Sequence, residues 1–283
     1  MKILLTGRTG QVGSVLERSL APLGELVAMG RADLDLNDLP LIRKKISVHK
    51  PGIIVNAAAY TAVDRAERER DAANAANFLA VREMAREAKA CDALLVHFST
   101  DFVFDGEKAS PYVETDAPHP LNVYGQSKLE GERAIAASGC RHLIFRTSWV
   151  YAPAGRNFLH AILAAAKSKP ELRVVNDQHG APTSSLAIAD AVARILSRPD
   201  LAAKSGLYHL TAGGETTWYG FAKAILEAKG IGTPLVPIRS DEFPAAAKRP
   251  KNSRLDCAKA AATFSEALPD WREGLAAVLL AVH

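Results

Sequence analysis

The chain has 283 residues, 48% of them apolar and 23% charged, the make-up of a globular protein with core enough for one large domain or two modest ones. A net charge of +4 gives no reason to expect nucleic acid as a partner, and no apolar run approaches the ~20 residues that a membrane span needs. Cys91, Cys140 and Cys257 lack any CxxC pairing and argue against a disulfide framework or a zinc site; with no leader before the opening "MKILLTG", they point to a reducing cytoplasm.

Short apolar runs alternate with amphipathic stretches through the first half. Strands are expected at 2–6, 26–29, 53–58, 93–99 and 142–148, and helices at 11–22, 38–49, 61–89 and 124–138. The alanine-rich stretch 61–89 is expected to break into two helices near Asn74 to Asn77. Strand–helix alternation of this kind predicts an α/β fold with a doubly wound parallel sheet of Rossmann type. After about residue 150 the pattern loosens. Strands at 171–177 and 206–212 sit among helices near 157–168, 184–197 and 217–229, followed by the basic loop "RSDEFPAAAKRPKNSRLD". The expected organisation is a dinucleotide-binding domain over 1–152 and a smaller, mixed substrate-binding lobe over 153–283, with 184–212 packing back onto the first domain.

"LLTGRTGQVGSVL" sets Gly7, Gly10 and Gly13 directly after the first strand and at the start of the first helix. Glycines there let the backbone turn tightly and approach a pyrophosphate, whose charge the helix N-terminus stabilises. At the end of the second strand a carboxylate usually meets the ribose of a cofactor without a 2′-phosphate. This chain has Gly30 and then Arg31, which, with Arg8, suits a 2′-phosphate and so NADPH, with NADH left possible. Asp35 and Leu36 are candidates for the adenine pocket.

Two tyrosines stand four residues before a lysine: Tyr124 before Lys128, and Tyr219 before Lys223. Ligands of open parallel sheets bind at the carboxyl ends of the strands. The strand 93–99 ends in "HFSTDF", which carries Ser99, Thr100 and Asp101 to that edge, and Tyr124 opens the next helix. Tyr219 has no such strand edge before it and reads as scaffold. Tyr124 and Lys128 face the same way on one helix, and the lysine charge is expected to lower the phenol's pKa from about 10 and so improve it as a proton donor. His97, inside the strand, reads as a satisfied core histidine. Asp64 and Glu67 share a helix face, yet nothing nearby completes a metal site, and no metal is expected.

"TGRTGQVG", "IVNAAAYTAVDRAE", "FSTDFVFDG", "PLNVYGQSKLEGE", "FRTSWVYA", "VNDQHGAPT" and "KRPKNSRLD" together resemble the dTDP-4-dehydrorhamnose reductases, members of the extended short-chain dehydrogenase/reductases, in order along nearly the whole chain. The resemblance implies a catalytic set of Thr100, Tyr124 and Lys128. It implies cofactor contacts at Gly10, Gln11 and Val12, at Asp35 and Leu36, and at Ala59, Tyr60 and Thr61, and substrate contacts at Thr100, Asp101 and Trp149. The reaction implied is reduction of the C4 ketone of a dTDP-bound deoxy sugar. Phe102 and Tyr60 depart from the family pattern, which often has tyrosine and histidine at these positions. The basic group Lys248, Arg249, Lys251 and Arg254 reads as a solvated stretch or as an aid to holding a diphosphate. Two rival readings are a reductase or epimerase of another nucleotide sugar, and a non-catalytic nucleotide-binding subunit. The sequence sets no oligomeric state.

Overall fold

The computed structural model describes residues 1–282, the side chain of Ala202 apart. Its first half runs β1 (Lys2–Thr6), α1 (Gly13–Leu20), β2 (Glu25–Met29), α2 (Leu39–His49), β3 (Ile53–Asn56), α3 (Val63–Ala66), α4 (Arg70–Asn74), α5 (Ala80–Ala90), β4 (Leu94–Thr100), α6 (Val123–Ser138) and β5 (His142–Thr147). The second half runs β6 (Val150–Tyr151), α7 (Phe158–Ser168), β7 (Leu172–Val175), β8 (His179–Gly180), β9 (Thr183–Ser184), α8 (Ser185–Leu196), β10 (Gly206–His209), β11 (Thr216–Thr217), α9 (Trp218–Ala228), β12 (Leu235–Ile238), α10 (Ala258–Phe264) and α11 (Trp271–Ala281).

Six strands form one parallel sheet in the order β10-β5-β4-β3-β1-β2. Alternate residues feed two apolar layers, because successive side chains of a strand point to opposite faces. Ile3 and Leu5 pack with Leu16, Ile188 and Val192 on one face. Leu4 packs with Ile42, Ile46, Val81 and Ile135 on the other. Burying each such side chain is worth roughly 1.5–3 kcal/mol, so sheet and helices hold one another in place. The chain leaves β1 for β2 on one side and returns to β3 on the other, which opens a crevice at their carboxyl ends. The doubly wound α/β expectation holds.

Two features differ from the sequence reading. The helix does not break at Asn74 to Asn77; α4 runs into α5 through a π-helical turn, Ala75–Leu79, and the chain breaks earlier, between α3 and α4. The wide turn carries Asn77 into the interior, where its side chain bonds both the N–H and the carbonyl of Tyr60, at 2.9 Å each, and Ser127 Oγ at 3.0 Å. The run 171–177 does not join the main sheet: β7 pairs in parallel with β12, a strand that sequence reasoning missed because Pro237 interrupts it. β10 does join, beside β5, and α8 packs on the same face as α1, so the second half of the chain contributes to the core of the main sheet. A separate apolar cluster gathers around Tyr151, Leu159, Phe221 and Trp271 in the second half of the chain.

Helix α6 lies so close to the π turn that a Cβ at Gly131 would overlap the Asn77 carbonyl. Alanine normally favours a helix over glycine by about 1 kcal/mol. Here the backbone clash should win: Gly131→Ala is predicted to lose about 2 kcal/mol, read in thermal unfolding as a Tm roughly 4–8 °C lower. An unchanged or raised Tm would contradict this packing.

Candidate active site

The glycine loop is built around backbone contact. Gly7 has a φ of +75°, and a Cβ on it would stand 2.6 Å from the Ala58 nitrogen in the loop after β3. A Cβ on Gly13 would overlap the Gly7 carbonyl. Only glycine fits such approaches, and they leave the N-terminus of α1 open to an anion. Gln11 Oε1 is buried here and has no hydrogen-bond partner among the described residues. Glycine cradle and orphaned acceptor fit a dinucleotide. Val12 is half-buried at the head of α1. At the end of β2, Arg31 is exposed, whereas Arg8 is engaged by Glu17 at 2.8 Å. Asp33, which sequence reasoning overlooked, accepts from the Gly30 N–H at 2.9 Å, so a carboxylate does stand by that position. Asp35 accepts from the Asn37 N–H at 3.0 Å and Leu36 is buried in the core under α2. Ala59 and Tyr60 are half-buried and Thr61 is exposed; the Tyr60 hydroxyl donates to Glu69 at 2.6 Å, which raises its pKa.

Strand β4 and helix α6 supply the proposed catalytic set. Asn122 caps α6 by accepting from the Gly125 N–H at 2.8 Å, and Glu67 reaches in to accept from the Val123 N–H at 2.9 Å. Tyr124 therefore sits in the first turn of a well-fixed helix. Its ring meets Phe102 edge-on, with centroids 5.7 Å apart. Thr100, the last residue of β4, hydrogen-bonds Asp101 at 3.1 Å. The rival pair lies elsewhere: Tyr219 packs in the C-terminal core, and Lys223 points outward toward Glu227 at 3.8 Å, both side chains more than half exposed.

One electrostatic expectation is overturned. The Tyr124 phenol is not lowered by Lys128; burial pushes it up to about 12, the negative Asp101 adds to the rise, and the Thr100 hydroxyl opposes it. The reason lies in where the lysine points. Lys128 Nζ donates to the Phe98 carbonyl at 2.5 Å and lies 3.1 Å from His97 Nε2, beneath the strand. Its own pKa is pushed down to about 8, chiefly by burial and against the pull of Glu132. A charge held that weakly, and spent on a carbonyl, does little for a neighbouring phenol.

Of the residues expected to meet substrate, Asp101 is 2% exposed and its Oδ2 has no partner among the described residues. Burial lifts its pKa to about 6, opposed by Ser253 and Thr100. Trp149 is also buried. Its ring stacks on Trp218 at 3.7 Å, and a Cβ on Gly180 would stand 2.6 Å from its other face. Its φ of +50° is an outlier for so bulky a residue. Both flat faces are covered, so any ligand contact is left to the ring edge. Arg249 pairs with Asp64 at 2.7 Å and Arg254 with Glu215 at 2.6 Å, whereas Lys248 and Lys251 are exposed. The two arginines staple the basic loop to the domain, and Asp64 and Glu67 serve that loop and α6.

A carboxyl group whose folded pKa lies above its unfolded value of about 3.9 binds its proton more tightly in the folded state. Ionised Asp101 thus costs stability above about pH 6, and that cost is absent below about pH 4. Asp101→Asn should gain stability at pH 8 relative to pH 4 by on the order of 1–3 kcal/mol. Denaturant unfolding of both proteins at the two pH values reads the difference. A gain independent of pH, or larger in acid, would contradict the assignment.

The family model described as the RmlD substrate binding domain matches residues 1–283. A dTDP-4-dehydrorhamnose reductase of Escherichia coli (strain K12) is 45% identical over 99% of this chain and 97% of its own length. Among solved structures, a dTDP-4-dehydrorhamnose reductase of Clostridium acetobutylicum superposes with a TM-score of 0.94 at 36% identity, covering 99% of this chain and 98% of that one. A Bacillus anthracis reductase of the same name, in complex with NADP, superposes with a TM-score of 0.93 at 32% identity, covering 99% and 98%. With a match from end to end and relatives this similar over their whole length, the chain belongs to the dTDP-4-dehydrorhamnose reductase family.

Proposed function

We propose that this chain reduces the C4 ketone of dTDP-4-dehydro-L-rhamnose to give dTDP-L-rhamnose, with NADPH as reductant. The observation that carries the reading is Tyr124, fixed by the capped first turn of α6 beside Thr100 at the carboxyl end of β4, one helical turn from buried Lys128. The Bacillus anthracis relative binds NADP, and here Gly7, Gly10, Gln11, Val12 and Gly13 would cradle the pyrophosphate, with Ala59, Tyr60 and Thr61 along its path. Exposed Arg31 suits a 2′-phosphate. When bound, the nicotinamide supplies the hydride.

The side chains supply orientation and the proton. Thr100 Oγ1 hydrogen-bonds the C4 oxygen and sets its distance from Tyr124. With a pKa of about 12 the phenol is fully protonated at neutral pH, so the donor is always loaded. An alkoxide is more basic than a phenolate, so transfer from Tyr124 to the developing oxyanion runs downhill. Lys128 would hold the nicotinamide ribose. Asp101, with an unpartnered oxygen, accepts a sugar hydroxyl, and Trp149 offers its edge. Residues 1–152, joined by 184–212, bind the cofactor, and the rest of 153–283 closes over the sugar nucleotide. Three free thiols suit the cytoplasm, and no described helix is long and apolar enough to cross a membrane.

The two tyrosine–lysine pairs provide the test. Tyr124→Phe removes a proton donor and almost no volume, so it should lower kcat by about 10²–10⁴-fold while leaving NADPH binding within a few-fold. Tyr219→Phe should retain most of the activity. Cofactor oxidation with dTDP-4-dehydrorhamnose and fluorescence titration of NADPH read both quantities. Equal losses in the two variants would sink the assignment.

A further inference from the structure

Between the glycine loop and Lys128 lies a buried line of polar side chains whose hydrogens are fixed by one backbone group. Asn56, at the end of β3, accepts at Oδ1 from the Ala58 N–H at 3.2 Å and from the Thr6 hydroxyl at 2.7 Å. A backbone N–H can only donate, so the amide cannot be turned round, and its NH₂ group faces His97 Nδ1 at 3.0 Å. Nδ1 must then be the accepting nitrogen. His97 is wholly buried and burial holds it uncharged, so its single proton sits on Nε2, 3.1 Å from Lys128 Nζ. An ammonium there would set donor against donor. An amine fits: it takes the His97 proton on its lone pair and gives one of its own to the Phe98 carbonyl.

We propose that His97, its tautomer fixed by Asn56, is a positioning residue that docks Lys128 of the cofactor-free protein only as an uncharged amine and releases it when the lysine takes up a proton. The charged groups around the lysine allow this. Glu132, one turn along α6, is paired with Arg146 of β5 at 2.9 and 2.6 Å and hydrogen-bonded by the Ser99 hydroxyl, so its pull on the lysine is partly offset. Tyr124 on α6 is uncharged, and Asp101 beyond β4 is the remaining acid. The packed π turn contributes only the uncharged Asn77. The depressed lysine pKa agrees in direction. Taking up a proton turns the His97 contact into two opposed donors and drives Nζ off the ring, so the charge of Lys128 and its position change together.

The inference rests on the preceding reading only in placing Lys128 in the site, and its test reads protons rather than turnover. In cofactor-free protein labelled with ¹⁵N-histidine and ¹³Cε-lysine, His97 should carry its proton on Nε2 and none on Nδ1 across neutral pH. The Lys128 Cε signal should titrate near 8 and not near the ordinary value of about 10.4. His97→Gln, whose amide oxygen can turn to an ammonium, should move that titration upward and identify the signal. A proton on Nδ1, an ordinary Lys128 titration in the parent protein, or no movement in His97→Gln overturns the proposal. If His97→Gln does not fold, the tautomer in the parent protein decides alone.

Discussion

The buried carboxylate of Glu132 is the anchor on which the site depends. Arg146 of β5 grips it with two nitrogens, Ser99 of β4 donates to it, and the guanidinium lies 5.0 Å from the centre of the Phe104 ring. Both charged side chains are almost fully buried. Such a pair adds little net stability over apolar packing, yet removing one partner strands a charge at a cost of about 3–5 kcal/mol. Its value here is registry. A helix held at Glu132 to two adjacent strands can neither slide nor roll, and Lys128 and Tyr124 lie one and two turns before it on the same helix.

The second fixed point is the π turn. Asn77 joins the backbone of Tyr60, in the loop after β3, to Ser127 of α6. The close approach at Gly131 makes that contact possible. The loop after β3 and helix α6 are thereby tied through one side chain. The region proposed to meet the sugar is held differently, by the stacked Trp149–Trp218 pair against Gly180 and by a basic loop stapled through Arg249 and Arg254. The left-handed Trp149 holds the kind of strained backbone that is commonly found at ligand sites.

Much of this was legible in the sequence because it follows from period and position. Continuous apolar runs such as "LLVHFS" belong to strands buried on both faces, and they placed the parallel sheet. The preference for Tyr124 over Tyr219 as the proposed donor rests on the rule that ligands meet strand carboxyl ends. What escaped depends on side-chain direction. Nothing in a four-residue spacing says that a lysine will bend under the strand to Phe98 and His97, so the expected lowering of the phenol pKa had the wrong sign. The π turn left a trace, two asparagines in the alanine run "DAANAANF", and asparagine is a poor residue for a helix interior unless its side chain has work inside. β12 escaped because a proline in a short edge strand erases the alternation that marks strands.

The proposed reaction is tested most directly by following an isotope. With dTDP-4-dehydrorhamnose and NADPH carrying two deuterium atoms at C4 of the nicotinamide, the account predicts one deuterium at C4 of the product sugar and none elsewhere in it. Unlabelled product, or deuterium at another carbon of the sugar, would contradict direct hydride delivery to the C4 ketone beside Tyr124.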